Sequence, residues 1–187
     1  MGLKTGTKGA EHMKNDDVRK LITAAMMAAL TCIATLLIQY PTVAGYTNLG
    51  DALVLLSAFL LGPVYGTAAA GLGSMLADLI AGYGYYAPGT LVIKGLSALI
   101  AALLLRGLYR RGTEPNALRL ALCAVPGELA MIAGYFGYKA LILGRGMAAA
   151  ASIPNNGIQA LVGIVLSALL FRLLIRSPEI KNKIWKG

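Results

Sequence analysis

The chain has 187 residues, of which 57% are apolar and only 13% charged. That charged share is about half of what a soluble domain carries, so a soluble fold of this size would be left with apolar surface it could not hide. The single histidine, His12, and two cysteines, Cys32 and Cys123, set inside apolar runs, exclude a disulfide framework and a Cys/His metal cluster. No cofactor or metal is expected.

Residues 1–20 read as a polar leader and N-terminus, with 1–12 resembling a cloning leader ahead of a second methionine, Met13. Leu21–Gln39 is the first run long and apolar enough to cross a bilayer, which takes about 20 residues. Asp51–Ala81 follows, with Gly62-Pro63 in its middle. It reads either as one kinked span or as two shorter ones, since proline disrupts a helix at its own position and restricts the residue before it. Thr90–Leu108, Ala117–Leu143 and Ile153–Ile175 complete the set, and 177–187 form a basic tail. Glycine is abundant at 23 residues, as suits closely packed membrane helices.

Charge decides the count. Of 17 Lys and Arg, 14 fall in three clusters. Lys4, Lys8, Lys14, Arg19 and Lys20 precede the first span; Arg106, Arg110, Arg111 and Arg119 flank the central connection; Arg172, Arg176, Lys181, Lys183 and Lys186 end the chain. Basic loops stay in the cytoplasm. Six spans put all three clusters inside, whereas five would put the central one outside. The expected fold is therefore an all-α integral membrane protein, a six-transmembrane-helix bundle over 21–176 with both termini cytoplasmic and a short second helix. The net charge of +9 is then an orientation signal rather than a nucleic-acid footprint.

This orientation places most polar side chains of the spans in the outer half. Asn48 lies in the outer loop Pro41–Gly50, Asp51 opens the second span and Asp78 closes the third. Tyr83, Tyr85 and Tyr86 fill the next outer loop, and Lys94 begins the fourth span. Glu128 lies near mid-depth of the fifth span, on one face with Tyr135, below Tyr138 and Lys139. Asn155, Asn156 and Gln159 open the sixth. A carboxylate at the bilayer centre costs about 2.5–3.5 kcal/mol even on insertion scales, so Glu128 should face the bundle interior, against a ligand or an ion-pair partner such as Lys139 or Lys94. Lys94 in turn can bind a ligand or hold Asp51 or Asp78, and Asn155 can serve as a helix cap. Several helices contributing donors, acceptors and rings at one depth describe an outward-opening small-molecule pocket. Tyr135 suits stacking on a flat ring, and Tyr85 suits a lid or belt position beside it. These residue types favour a neutral or weakly basic heterocycle bearing N–H or hydroxyl groups.

Small residues mark the packing faces. Ala24, Ala25, Ala28 and Ala29 give two small-xxx-small spacings on the first span, and Gly66, Ala70, Ser74 and Ala77 give another on the third. They serve either internal packing or docking of another membrane subunit.

The series Asn48-Leu49-Gly50-Asp51-Ala52, Leu61-Gly62-Pro63, Gly71-Leu72-Gly73-Ser74 with Ala77-Asp78, and Pro88 with Ile93-Lys94-Gly95-Leu96 resembles the substrate-binding S components of energy-coupling factor (ECF) vitamin transporters. Glu128 with Gly134-Tyr135-Phe136, and Asn156 with Gln159 after Pro154, are similar to that family's later helices. The nearest branch is the riboflavin, hydroxymethylpyrimidine and pyridoxine type, over about Arg19 to Ile175. The resemblance implies a prokaryotic plasma-membrane protein that binds a vitamin or precursor from outside. It also implies that the protein is not itself an enzyme, and works with a coupling transmembrane subunit and two cytoplasmic ATPases. The alanine stripe would supply the docking face, through Ala24 and Ala28 or Ala25 and Ala29, and 41–50 would act as a lid. The competing reading is a stand-alone ion-coupled carrier that uses Glu128 or Asp78 as its proton site.

Overall fold

A computed structural model describes residues 5–42, 45–108 and 114–182, with side chains over 17–39, 48–108 and 114–182. Of the residues used for orientation, Lys4, Arg110, Arg111, Lys183 and Lys186 lie outside the described residues, as do the side chains of Lys8 and Lys14.

Helix α1 spans Thr5–Leu37 and so begins within the segment set aside as a leader. A short antiparallel hairpin follows, β1 Gln39–Thr42 and β2 Gly45–Asn48, with Gln39 opposite Asn48 and Thr42 opposite Gly45. Apart from this hairpin, the regular elements among the described residues are helical, as the all-α reading expects. Tyr40, Thr42, Tyr46 and Thr47 are β-branched or aromatic residues that favour extended backbone. Helices α2 (Gly50–Ile80), α3 (Ala87–Leu108) and α4 (Ala117–Gly137) come next. A π-helical turn, Tyr138–Ile142, extends α4, and a 3-10 segment, Gly146–Ser152, leads into α5 (Ile153–Leu174). A single turn, α6 (Pro178–Ile180), ends the described chain. Asn116 caps α4 through its side-chain oxygen, which accepts from Arg119 N–H at 2.9 Å.

Five helical stretches are long and apolar enough to cross a membrane: Asp17–Leu37, Gly50–Ile80, Ala87–Leu108, Ala117–Ile142 and Gly146–Leu174. The second of these doubles back. Gly62 has φ 75° and ψ −168°, outside helical space and readily adopted only by glycine, and Pro63 restarts the helix behind it. A Cβ placed on Gly66 would lie 2.6 Å from the Ser57 carbonyl oxygen, nine positions earlier in sequence. The arms 50–61 and 63–80 therefore lie against each other. The ends agree with this. Asp51 and Asp78 would stand about 40 Å apart on a straight helix at 1.5 Å per residue, yet both belong to one polar cluster, described below.

The first arm is the centre of the bundle. Every residue from Val54 to Leu60 is buried, so its apolar character is continuous rather than one-sided. Phe59 meets Phe171 of α5 edge-to-face at 6.0 Å, and Leu55, Leu120 and Cys123 are also fully buried. Glycines set the close approaches. A Cβ on Gly127 of α4 would meet the Ser97 carbonyl of α3 at 2.5 Å, and one on Gly163 of α5 would meet Asp51 Cβ at 2.7 Å. The outer faces carry Leu21, Met26, Val92, Leu103, Leu122 and Leu169, all exposed as a lipid-facing surface requires. The small stripe Gly66, Ala70, Ser74 and Ala77 is wholly buried and is internal packing. On α1 the two alanine pairs separate: Ala24 packs inward and Ala28 lies against Gly73, while Ala25 and Ala29 face outward.

Candidate functional site

Asn48, Asp51, Lys94 and Gln159, all buried, gather at the end of the bundle where the hairpin enters α2. Lys94 of α3 forms an ion pair with Asp51 at the start of α2, with side chains 4% and 1% exposed. The other Asp51 oxygen accepts from Gln159 Nε2 of α5 at 2.7 Å. Gln159 Oε1 accepts from the backbone N–H of Asn48 at 3.0 Å, and Asn48 Oδ1 accepts from Gly50 N–H at 2.8 Å. A continuous polar chain thus joins three helices to the last residue of the hairpin. A buried charge is tolerable when it is paired and hydrogen-bonded, and this pair is.

Against this chain lies a pocket with about 360 Å3 of space unfilled by atoms, part of it open to solvent. It is lined by Asn48, Asp78, Tyr86, Thr90, Tyr135, Lys139, Asn156 and Gln159. Tyr135 OH and Thr90 Oγ1 share a hydrogen bond of 2.9 Å. The Tyr135 ring has Lys94 Nζ 5.5 Å and Lys139 Nζ 5.8 Å from its centroid, and Lys139 also lies 5.6 Å from the Tyr86 ring. Cations at these distances are attracted to the aromatic quadrupole. The Tyr85 and Tyr86 rings sit 4.6 Å apart, and Tyr138 OH donates to the Tyr85 carbonyl at 2.8 Å, so a tyrosine cluster borders the pocket. Burial raises the Tyr86 phenol above its ordinary range, with Arg145 nearby opposing the shift.

Five of the residues anticipated from sequence therefore share the pocket wall: Asn48, Asp78, Tyr135, Asn156 and Gln159. Lys94 and Asp51 are outside the lining as each other's partners, one of the three pairings open to Lys94. Glu128 is not in the lining. It is buried at the α3–α4 contact, where one oxygen accepts from Ser97 Oγ at 3.3 Å and the other has no partner among the described residues. Asn155 is half-buried in the first turn of α5, whose N-cap position is held by Ser152. Tyr85 is 50% exposed and contributes its carbonyl to the tyrosine cluster.

Tyr86 and Thr90 were not foreseen as wall residues, and Lys139 was foreseen only as an ion-pair partner for Glu128. A signal for Lys139 was nevertheless present. Only three of the 17 Lys and Arg fall outside the three basic clusters, namely Lys94, Lys139 and Arg145. Lys94 and Lys139 flank the Tyr135 ring, and the Arg145 backbone N–H bonds the Lys139 carbonyl at 3.0 Å.

The arrangement sets donors, acceptors and aromatic faces around one recess; Cys32 and Cys123 are buried, free and outside its lining. Comparisons with known proteins agree with a transport role. The sequence is 38% identical over 144 residues to an uncharacterized protein of Pyrococcus woesei, covering 76% of this chain and 92% of the relative. It is 30% identical over 168 residues to the thiamine precursor transporter HmpT of Lactococcus lactis subsp. cremoris, covering 88% of this chain and 93% of that protein. The profile of the ECF-type riboflavin transporter S component matches residues 15–176, and the chain therefore belongs to this family of membrane transport components.

Proposed function

We propose that the chain captures a vitamin or vitamin-precursor heterocycle from outside a prokaryotic cell. It hands this ligand across the plasma membrane as the S component of an ATP-driven ECF importer. The observation that carries the reading is the buried polar pocket at one end of an otherwise apolar bundle. Its amides, hydroxyls, carboxylate and tyrosine faces suit a flat ring with N–H or hydroxyl groups, as a thiamine precursor has.

In this reading the doubled-back α2 supplies two crossings, giving six in all. Both termini and the central basic connection are cytoplasmic, and the pocket opens outward. The first arm, 50–61, is about 18 Å long and spans only part of the hydrocarbon. Energy comes from two cytoplasmic ATPases through a coupling membrane subunit. That subunit docks on the outward-facing Ala25 and Ala29, since Ala24 and Ala28 are occupied by contacts within the chain.

The test is native mass spectrometry of the purified chain, followed by titration with riboflavin, pyridoxine and thiamine-related pyrimidines. One-to-one binding of a heterocycle is expected, and no binding across the panel would sink the proposal. A stand-alone carrier is the second reading, and the partnerless oxygen of Glu128 is the observation that favours it. Uptake by the chain alone under a proton gradient would select it.

A further inference from the structure

A second cavity lies where the connection into α4 meets the end of α5 and the turn α6. It has about 980 Å3 of space unfilled by atoms, part of it open to solvent. From Asn156 in the polar pocket to Arg172 at this cavity, α5 runs about 24 Å at 1.5 Å per residue, so the two are separate. Arg172, Arg176 and Lys181 line the cavity with Glu114, around the buried Pro115 and Ile175. Lys181 forms an ion pair with Glu114, which ties the segment after α6 to the connection before α4 and answers the carboxylate in the lining. Arg172 and Arg176 stand about one turn apart. No hydrogen bond or ion pair joins either guanidinium to a described residue.

Orienting a chain in the bilayer needs only basic residues near its surface, with no cavity between them. Two guanidiniums over a shared cavity match a phosphate group instead, whose oxygens accept the parallel N–H bonds of the guanidinium fork. The cavity also adjoins the lipid-facing surface. Leu169 and Leu173, beside Arg172 on α5, are 58% and 60% exposed, and Leu118 in the first turn of α4 is 67% exposed. Acyl chains lying along these leucines would leave a headgroup at the arginines. We infer that this cavity is a binding site for the phosphate headgroup of an acidic membrane lipid, held by Arg172 and Arg176. In the orientation proposed above it lies in the cytoplasmic leaflet, where acidic lipids favour basic pockets between helices. The inference depends on residence in a membrane and not on the solute that the polar pocket takes.

The experiment reconstitutes the full chain in nanodiscs of equal parts dioleoylphosphatidylcholine and dioleoylphosphatidylglycerol, and reads the retained lipid by native mass spectrometry. Wild type should keep phosphatidylglycerol in preference. Arg172→Gln with Arg176→Gln should lower that preference about tenfold, since each basic residue near an acidic surface contributes several-fold. Lys20→Gln with Arg106→Gln removes the same charge from outside the lining and should change the preference less than about twofold. Equal losses in the two double variants would show diffuse attraction by net charge and overturn the inference, as would a wild-type chain with no preference. In phosphatidylcholine alone, both double variants should melt within about 2 °C of wild type, because Arg172 and Arg176 are exposed, as is Arg106. A lower value for Arg172→Gln with Arg176→Gln would show that these arginines serve the fold, and would overturn the site. Inorganic phosphate separates a lipid headgroup from a free anion. If it raised the melting temperature of the detergent-solubilised chain as much as phosphatidylglycerol does, the lipid assignment would fall.

Discussion

Replacing Lys94 with methionine keeps most of the side-chain volume at the centre of the polar chain but removes its only ammonium. Asp51, whose side chain is 1% exposed, would keep a single described partner, the Gln159 amide at 2.7 Å. Breaking a buried pair by deleting one partner costs about 3–5 kcal/mol, because the remaining charge stays buried and uncompensated. For a chain of this length each kcal/mol moves the melting temperature by about 2–4 °C, so Lys94→Met should lower it by roughly 6–20 °C. Lys94→Met combined with Asp51→Asn should recover much of that loss, since the amide leaves no charge to answer. The assay is thermal unfolding of the detergent-solubilised chain by tryptophan-independent thiol labelling of the buried Cys32 and Cys123, run as a double-mutant cycle. A single mutant as stable as wild type, or a double mutant no better than the single, would refute the claim that these two charges depend on each other.

Three other outcomes follow from the same structure. Glu128→Gln keeps the contact with Ser97 and removes a carboxylate outside the pocket lining, so ligand affinity measured by titration should change less than about threefold; a tenfold loss would place Glu128 against the ligand. Ala25→Leu should spare binding but reduce co-purification with a coupling subunit, whereas Ala28→Leu should first lower thermal stability by crowding the core against which Ala28 packs; equal effects of the two would dismiss the division of the stripe. Gly62→Ala forces a Cβ into φ 75°, ψ −168°, a region essentially reserved for glycine that costs about 1–3 kcal/mol, so a fall of a few degrees in melting temperature is expected and an unchanged value would argue against the turn.

The sequence was most informative where physics acts over long runs. Twenty-residue apolar stretches, clustered Lys and Arg, and Gly62-Pro63 are readable without contacts, because bilayer thickness and backbone geometry impose them directly. Gathering Asn48, Asp78, Tyr135, Asn156 and Gln159 at one end needed only the direction of each span. Finer pairings did not follow from direction alone. Nothing in the spacing says that Lys94 meets Asp51 while Lys139 lies over the Tyr86 and Tyr135 rings, since a turn of π-helix changes which way a side chain points. Glu128 drew attention because a membrane carboxylate is costly, but cost marks burial and not contact with a ligand. The hairpin was missed because its short loop carries no turn signature strong enough to be separated from an irregular connection.

The bond from Asn48 N–H to Gln159 is a contact between neutral groups. Such a bond contributes about 1 kcal/mol net, which corresponds to a population ratio of about five between its made and broken forms. A bond of that strength breaks on thermal motion alone, so this contact by itself does not fix the end of the hairpin to α5. Hydrogen exchange at the Asn48 amide would report the rate of that release. In the proposed ATP-driven importer, the hairpin contact would therefore set no energetic demand at the capture step.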